Sequence, residues 1–167
     1  MNIATQAKSG FFYRLKLVDR HGHVIDQDEA MNIVPSEGLE AMQAVLFNGA
    51  VAPGALHVGI YSGEYTPTAD ITAATLPGVA TEFTGYSGHL RPQFVPGPAQ
   101  GGFVSNEGHE VEFAFTSSAG IYGGFISTAG PKGATSGTLW SVVRFPSPKP
   151  ASAELKLLVT AGFVLIS

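Results

Sequence analysis

The stretch HEVEFAFT, residues 109–116, decides the fold class. Within it, apolar side chains at every second position alternate with Glu110 and Glu112. Successive side chains of a β-strand point to opposite faces, so this alternation predicts a strand with one face in a core and the other in water. Phe11–Val18 shows the same alternation, with Arg14 and Lys16 on the polar face. The chain is therefore predicted to consist of half-buried strands.

Further runs rich in β-forming residues are separated by Gly, Pro, Ser and Asn, which is typical of short strands joined by turns. Asp19–Gly22 reads as a turn that joins Phe11–Val18 to His23–Asp26 in a hairpin. We predict an all-β fold, an antiparallel β-sandwich, whose strand order the alternation leaves open. The other predicted strands are Leu56–Tyr61, Val79–Tyr86, Phe103–Asn106, Ile121–Ser127, Leu139–Phe145 and Leu155–Ile166.

One short helix is predicted after Pro35. Ser36 is a favourable N-cap residue, and Glu37 suits the positive end of the helix dipole. Asn48-Gly49 would end the helix, because both residues tolerate a left-handed backbone. The helix is expected to cover an open side of the sheets with an apolar face made of Leu39, Met42, Val45 and Leu46.

The composition favours association with other proteins. Hydrophobic residues make up 44% of the 167 residues and charged residues 13%, against roughly 25% charged in an average soluble domain. Burial in an assembly explains so neutral a surface, although a Gly- and Ala-rich surface on a free protein is the alternative. The net charge of -4 has the wrong sign for binding phosphate backbones, so nucleic acid is not an expected partner.

The domain organisation is simple. Residues 1–10 are polar and small, and we interpret them as an N-terminal arm that orders against a neighbouring protein. Residues 11–167 form one predicted domain. No cleaved secretory signal and no membrane-spanning run are recognised, so a soluble protein made in the cytoplasm without membrane partners is expected.

Candidate interface residues come from the arm, its junction with the first strand, and two long loops. Ser62–Gly78 and Arg91–Gly102 have little periodicity and several prolines, so they are expected to project from the sandwich as interaction surfaces or poorly ordered loops. In the run from Phe11 to Tyr13 only alternate side chains can face one core. The candidates are Lys8, Phe11, Phe12, Tyr65, Pro67, Arg91, Pro96 and Pro98.

No catalytic constellation is recognised. His21 and His23 could supply two metal ligands, but a site needs more. The acidic residues between Asp26 and Glu29 lack an EF-hand pattern and are interpreted as a solvated turn. Ser87 and His89 do not have the spacing of a nucleophile elbow. We therefore expect no enzyme activity, no cofactor and no metal.

The order of features from the helix onward resembles small virion proteins of tailed bacteriophages, in particular capsid cement or decoration proteins and related head or tail accessory proteins. The segments that carry the resemblance span residues 30–167. They are Asn32–Leu39, Val58–Tyr61, Tyr65–Pro67, Tyr86 with Arg91, Val111–Phe115, Ile121–Phe125 and Gly137–Leu139.

The resemblance implies a jelly-roll-like sandwich that lies on the outer capsid surface and bridges neighbouring subunits of the major capsid protein. It also implies a homo-oligomer without a cofactor. A tail, baseplate or head-fibre protein is equally compatible with these motifs. A carbohydrate-binding module that stacks sugars on Tyr61, Tyr65, Tyr86 or Trp140 is a further alternative.

Overall fold

A computed structural model describes residues 10–164. Two antiparallel sheets pack face to face, which confirms the predicted all-β sandwich. The predicted helix is present, and a second helix of four residues accompanies it. The elements are β1 Gly10–Asp19, β2 Val24–Met31, α1 Ser36–Phe47, β3 Leu56–Tyr61, α2 Leu76–Val79, β4 Gln93–Phe94, β5 Phe103–Ser105, β6 Val111–Ala114, β7 Ala119–Ser127, β8 Leu139–Ala151 and β9 Leu155–Val164.

The first sheet, sheet A, has the order β2-β1-β9, and β5 and β6 pair with successive parts of β9. The second, sheet B, has the order β4-β3-β7-β8. The predicted hairpin β1–β2 is present, and β7 and β8 form another within sheet B. The first and last strands are neighbours, since β1 pairs with β9 from Gly10–Val164 to Asp19–Leu155. Both ends of the described chain therefore lie at one end of sheet A.

The main core lies between the two sheets. Side chains at alternate positions of β1 point inward, and Phe113 of β6 does so from the strand whose alternation predicted the fold. The charged residues between them face outward, as the sequence predicts. Buried members of this core include Tyr13, Leu15, Leu17, Val58, Ile60, Ile126, Val143 and Leu157.

The segment Ser62–Gly78 does not project from the sandwich, so that prediction is wrong. It folds back over the outer face of sheet B and forms a second core, in which Ile71 and Leu76 contact Phe125. The ring of Phe125 lies over Gly59, where a Cβ atom would clash with the ring. Only glycine leaves room for this aromatic side chain on the outer face.

Two other local predictions are wrong. Val79–Tyr86 is not a strand, because α2 ends at Val79 and only isolated bridges at Glu82 and Tyr86 follow. The predicted strand Leu139–Phe145 is too short, because β8 continues through Ser147–Pro150 to Ala151. β8 is the edge strand of sheet B, and an edge position tolerates residues that lack an N–H donor.

The buried amine of Lys149 joins the two sheets at one edge. Its Nζ donates to Asp26 at 2.7 Å, to Asp28 at 3.0 Å and to the Ser147 hydroxyl at 3.0 Å. Two of the acids predicted to form a solvated turn therefore hold β2 against β8. Burial alone raises the pKa of Asp28, but the hydrogen bond and charge of Lys149 outweigh burial and lower it. Burial likewise lowers the pKa of Lys149, and its two aspartates reverse that effect and raise it.

A second buried ion pair fixes the loops beside sheet B. Arg91 binds Glu82 through two hydrogen bonds of 2.8 and 2.7 Å, and both side chains are buried. The guanidinium also donates to the carbonyl oxygens of Ala129 and Ala134, at 2.9 and 3.2 Å. The pair thereby connects the segment after α2 to the β7–β8 loop. Charges so deeply buried are tolerated because each has several partners.

Replacing Arg91 tests the structural role of this pair. Arg91→Met leaves the Glu82 carboxylate buried without its cation, so we expect the free energy of unfolding to fall by about 3–5 kcal/mol. Arg144→Met is the matched control, because Arg144 pairs with an exposed carboxylate of Glu64; we expect a loss below about 1 kcal/mol. Urea titration measures both losses, and equal losses would contradict the assigned role.

The bridge at Lys149 predicts a pH dependence. Since the pKa of Asp28 is lowered and that of Lys149 is raised, the bridge stabilises the fold between roughly pH 4 and pH 10 and is lost outside that range. Lys149→Met should therefore reduce stability by about 1–3 kcal/mol at neutral pH. Thermal unfolding of both proteins should show the difference narrowing as the pH falls below the ordinary range of aspartate. A constant difference down to pH 2 would contradict the bridge.

Candidate interaction surface

Helix α1 lies across one end of the sandwich. Gly38 permits this contact, because a Cβ atom at this position would lie 2.8 Å from the carbonyl oxygen of Leu139 in β8. The carboxylate of Glu37 accepts the backbone N–H groups of Ala73 and Leu139, at 2.9 and 2.7 Å. Ser36 is not the N-cap: Pro35 takes that position without a side-chain cap, and the Ser36 N–H donates to Ala69.

An apolar cleft of about 400 Å³ lies between α1 and the ends of the two sheets. Phe11 and Phe163 form its sheet A side and pack edge to face, with ring centroids 5.0 Å apart. Every side chain that lines it is apolar or aromatic, so water gains little from entering. The cleft is lined by Phe11, Met42, Val45, Leu46, Leu56, Phe94, Pro96, Val104, Trp140 and Phe163.

A second apolar concavity, here called the depression, lies on the outer face of sheet A. Phe12 stacks on Phe103 with ring centroids 5.3 Å apart and 12° between the planes. The Phe12 ring lies over Gly162, where a Cβ atom would clash with it. Arg14 and Glu29, joined at 2.8 Å, form a polar rim. The depression measures about 430 Å³ and is lined by Phe12, Tyr13, Arg14, Glu29, Ala30, Met31, Phe103 and Val164.

The segment Leu46–Pro53, here called the tip, carries the most exposed large apolar side chains of the described chain. Val51 is 93% exposed, Phe47 79% and Leu46 72%. The tip contains no ionisable side chain. Its backbone is held by hydrogen bonds from the Asn48 and Ala50 N–H groups to the carbonyl of Ala44, both 3.0 Å long. The tip is therefore an apolar, largely exposed segment whose backbone is hydrogen-bonded to α1.

Three of the predicted interface residues lie at this end of the molecule. Phe11 is buried and lines the cleft, Phe12 lines the depression, and Pro96 lines the cleft from the β4–β5 connection. Pro98 is exposed in the same connection. Lys8 and the predicted arm lie outside the described residues, except for Gly10, which begins β1.

The other three candidates lie beside sheet B and serve the fold. Tyr65 is half-buried and packs edge to face on Tyr61, and Pro67 is buried nearby. Arg91 is buried in its pair with Glu82. As residues buried inside the chain, Pro67 and Arg91 cannot form a surface contact, and Phe11 is open to a partner only through the cleft.

The sequence prediction missed the tip and the depression. The adjacent residues Leu46 and Phe47 were a usable signal, because neighbouring positions on a helix cannot both face the same core. Met31 and Phe103 gave no such signal, since they meet Phe12 only through the pairing of β1, β2, β5 and β9.

The side chains considered as metal ligands or catalytic groups are not brought together by the fold. Among residues 10–164, no three His, Asp or Glu side chains lie close enough together to hold a metal ion. His23 contacts Asp19 at 3.1 Å in an exposed turn, and the Ser87 hydroxyl donates to the carbonyl of Ala114. None of the helices in the described part of the chain has the length and apolar character needed to span a bilayer.

The chain was compared with known proteins: no family model matches it, and no curated protein matches it significantly in sequence. The surface of the molecule itself is therefore the guide to its role. That surface concentrates a cleft, a depression and a tip, all apolar, at the end of the sandwich where β1 begins and β9 ends.

The close packing of α1 on β8 predicts how efficiently acrylamide quenches the fluorescence of Trp140, the single tryptophan of the sequence. Gly38→Ala should push α1 outward and widen the cleft, because the added methyl group meets the backbone of β8. We expect more efficient quenching of Trp140 fluorescence by acrylamide and a stability loss of about 1–3 kcal/mol.

Gly54→Ala is the matched control, since a Cβ atom there has nothing within 4 Å. Quenching of this variant should equal that of the wild type. If Gly38→Ala also left quenching unchanged, the close packing of α1 on β8 would be contradicted.

Proposed function

We propose that the protein is a non-enzymatic virion structural protein of a tailed bacteriophage, a capsid cement or decoration protein. It binds the outer capsid surface, bridges neighbouring capsid subunits and stabilises the shell. Its partners are the major capsid protein and further copies of itself. The proposal rests on the sequence resemblance together with the distribution of apolar surface.

The apolar end of the sandwich is the observation that carries the proposal. The four most exposed large apolar side chains of the described residues, Leu46, Phe47, Val51 and Met31, lie at this end, where the cleft is also open, while Val24, Ile25, Val79 and Leu90 are exposed elsewhere. Exposed apolar surface that is concentrated in one region favours a protein partner, because association removes that surface from water.

The distribution of charge supports the same proposal. The two most deeply buried cations, Arg91 and Lys149, neutralise acids inside the fold. Lys132 donates to the carbonyl of Tyr86 at 2.7 Å and lies 3.6 Å from the centre of its ring. These cations are occupied internally, so they add little unpaired charge that a partner protein would have to desolvate.

The carbohydrate-binding alternative has less support. Tyr61 and Tyr86 are buried, so neither ring is available to stack on a sugar. Tyr65 is half-buried against Tyr61, and Trp140 lies at the cleft beneath α1. A glycan array that detected specific binding would revive this alternative.

Reconstruction of virions at a resolution that traces the chain tests the proposal. We expect the protein on the outer capsid surface, at junctions between capsid subunits and with its apolar end facing the shell or another copy. Particles that lack the protein should rupture at a lower temperature than complete particles. Density for the protein in the tail or baseplate alone would refute the cement role and favour the accessory-protein alternative.

A further inference from the structure

The tip and the depression are two exposed apolar surfaces on one chain. The tip is uncharged, and its side chains at 46, 47 and 51 are largely exposed, while Ala50, Val51 and Pro53 also border a concavity beside α1. The depression is concave, and Met31 at its edge is 60% exposed. Both surfaces would be costly to leave in water on a protein that worked alone.

The two surfaces lie on different sides of the same sheet. β1 places Phe11 in the cleft next to α1 and Phe12 in the depression, because successive residues of a strand face opposite ways. α1 covers the cleft side and continues directly into the tip, whereas the depression opens on the outer face of sheet A. The chain itself places sheet A between them.

We propose that the tip of one copy of this chain docks into the depression of a second copy. Phe47 and Val51 would then pack on the stacked rings of Phe12 and Phe103. This inference deepens the proposed function, since it names the contact through which copies of the protein associate.

The electrostatics of both surfaces fit this occupant. Among residues 10–164, the charged groups that line the depression are Arg14 and Glu29, which neutralise each other at 2.8 Å. An uncharged segment can therefore enter without leaving an isolated charge desolvated, whereas a charged segment would find no unpaired counterion on the rim. The tip has no ionisable residue from Leu46 to Pro53.

The order of the tip favours binding as well. Its backbone is closed by two hydrogen bonds to Ala44, and Gly49 supplies the left-handed conformation, with φ of 70°, that the turn requires. The stacked rings of Phe12 and Phe103 provide a similarly fixed platform. Association between surfaces that are already ordered loses less conformational entropy than association of mobile segments.

A mixing experiment with two charged variants of the full chain tests this contact. Phe47→Asp damages the tip and leaves the depression intact, whereas Met31→Asp damages the depression and leaves the tip intact. Both residues are largely exposed, so both variants should fold, which circular dichroism and thermal unfolding verify. Val79→Asp is the matched control, because Val79 is 54% exposed on α2 and belongs to neither surface.

Sedimentation velocity then measures self-association. We expect the wild type and Val79→Asp to associate equally, and each of the two damaging variants to associate at least about tenfold more weakly. An equimolar mixture of Phe47→Asp and Met31→Asp should form a one-to-one heterodimer, because one intact tip meets one intact depression. Val51→Asp and Phe103→Asp should reproduce the result as an independent pair.

Several results would overturn the inference. If both variants weaken association but the mixture stays monomeric, the tip of one copy does not enter the depression of another. If only one of the two variants weakens association, like surfaces contact each other and the inference is also wrong. If the variants associate as the wild type does, or if the wild type is monomeric at every concentration, the contact does not exist. Binding of the wild type to phage shells is measured separately, so loss of this contact is distinguishable from failure of the proposed capsid role.

Discussion

The structure depends on how a two-sheet sandwich covers surfaces that its own core cannot bury. Packing of the sheets removes only their inner faces from water, and the ends and outer faces need other cover. The chain covers the outer face of sheet B with the segment after β3, which forms the second core around Phe125. It covers one end of the sandwich only partly with α1, and the outer face of sheet A keeps the depression open. Association with another protein would complete this cover.

Buried ion pairs hold several of the chain's charged side chains inside the fold. Lys149 joins β2 to β8, and Arg91 joins Glu82 to the β7–β8 loop. In both cases a charged side chain, and not an apolar one, connects the strands or loops that meet at that point. The chain is already poor in charged residues, and these cations are internal. Electrostatic repulsion that would oppose association with other proteins is therefore weaker.

The fold class and most strands could be predicted from the sequence, because alternation reports directly which side chains are buried. Leu56–Tyr61 has the predicted bounds, and the hairpin after Phe11 is confirmed. The segment Ser62–Gly78 could not be predicted in the same way. Its buried residues, such as Ile71 and Leu76, have no regular spacing, and their burial depends on the ring of Phe125, which belongs to a strand much later in the chain and packs over Gly59. Likewise, Asp26 and Lys149 are 123 positions apart, so a local pattern cannot pair them.

The candidate surface was predictable only where one strand defines it. Phe11 and Phe12 were identifiable because neighbouring strand residues face opposite sides, and they do lie on the two sides of sheet A.

The most direct test of the account is mass-spectrometric side-chain footprinting of Met31 and Phe47 in free protein and in assembled particles. Burial of the apolar end in an assembly predicts strong labelling of both residues in the dilute, monomeric protein and protection in the particle. Equal labelling in both states would contradict the account, because the apolar end would then remain exposed to water throughout.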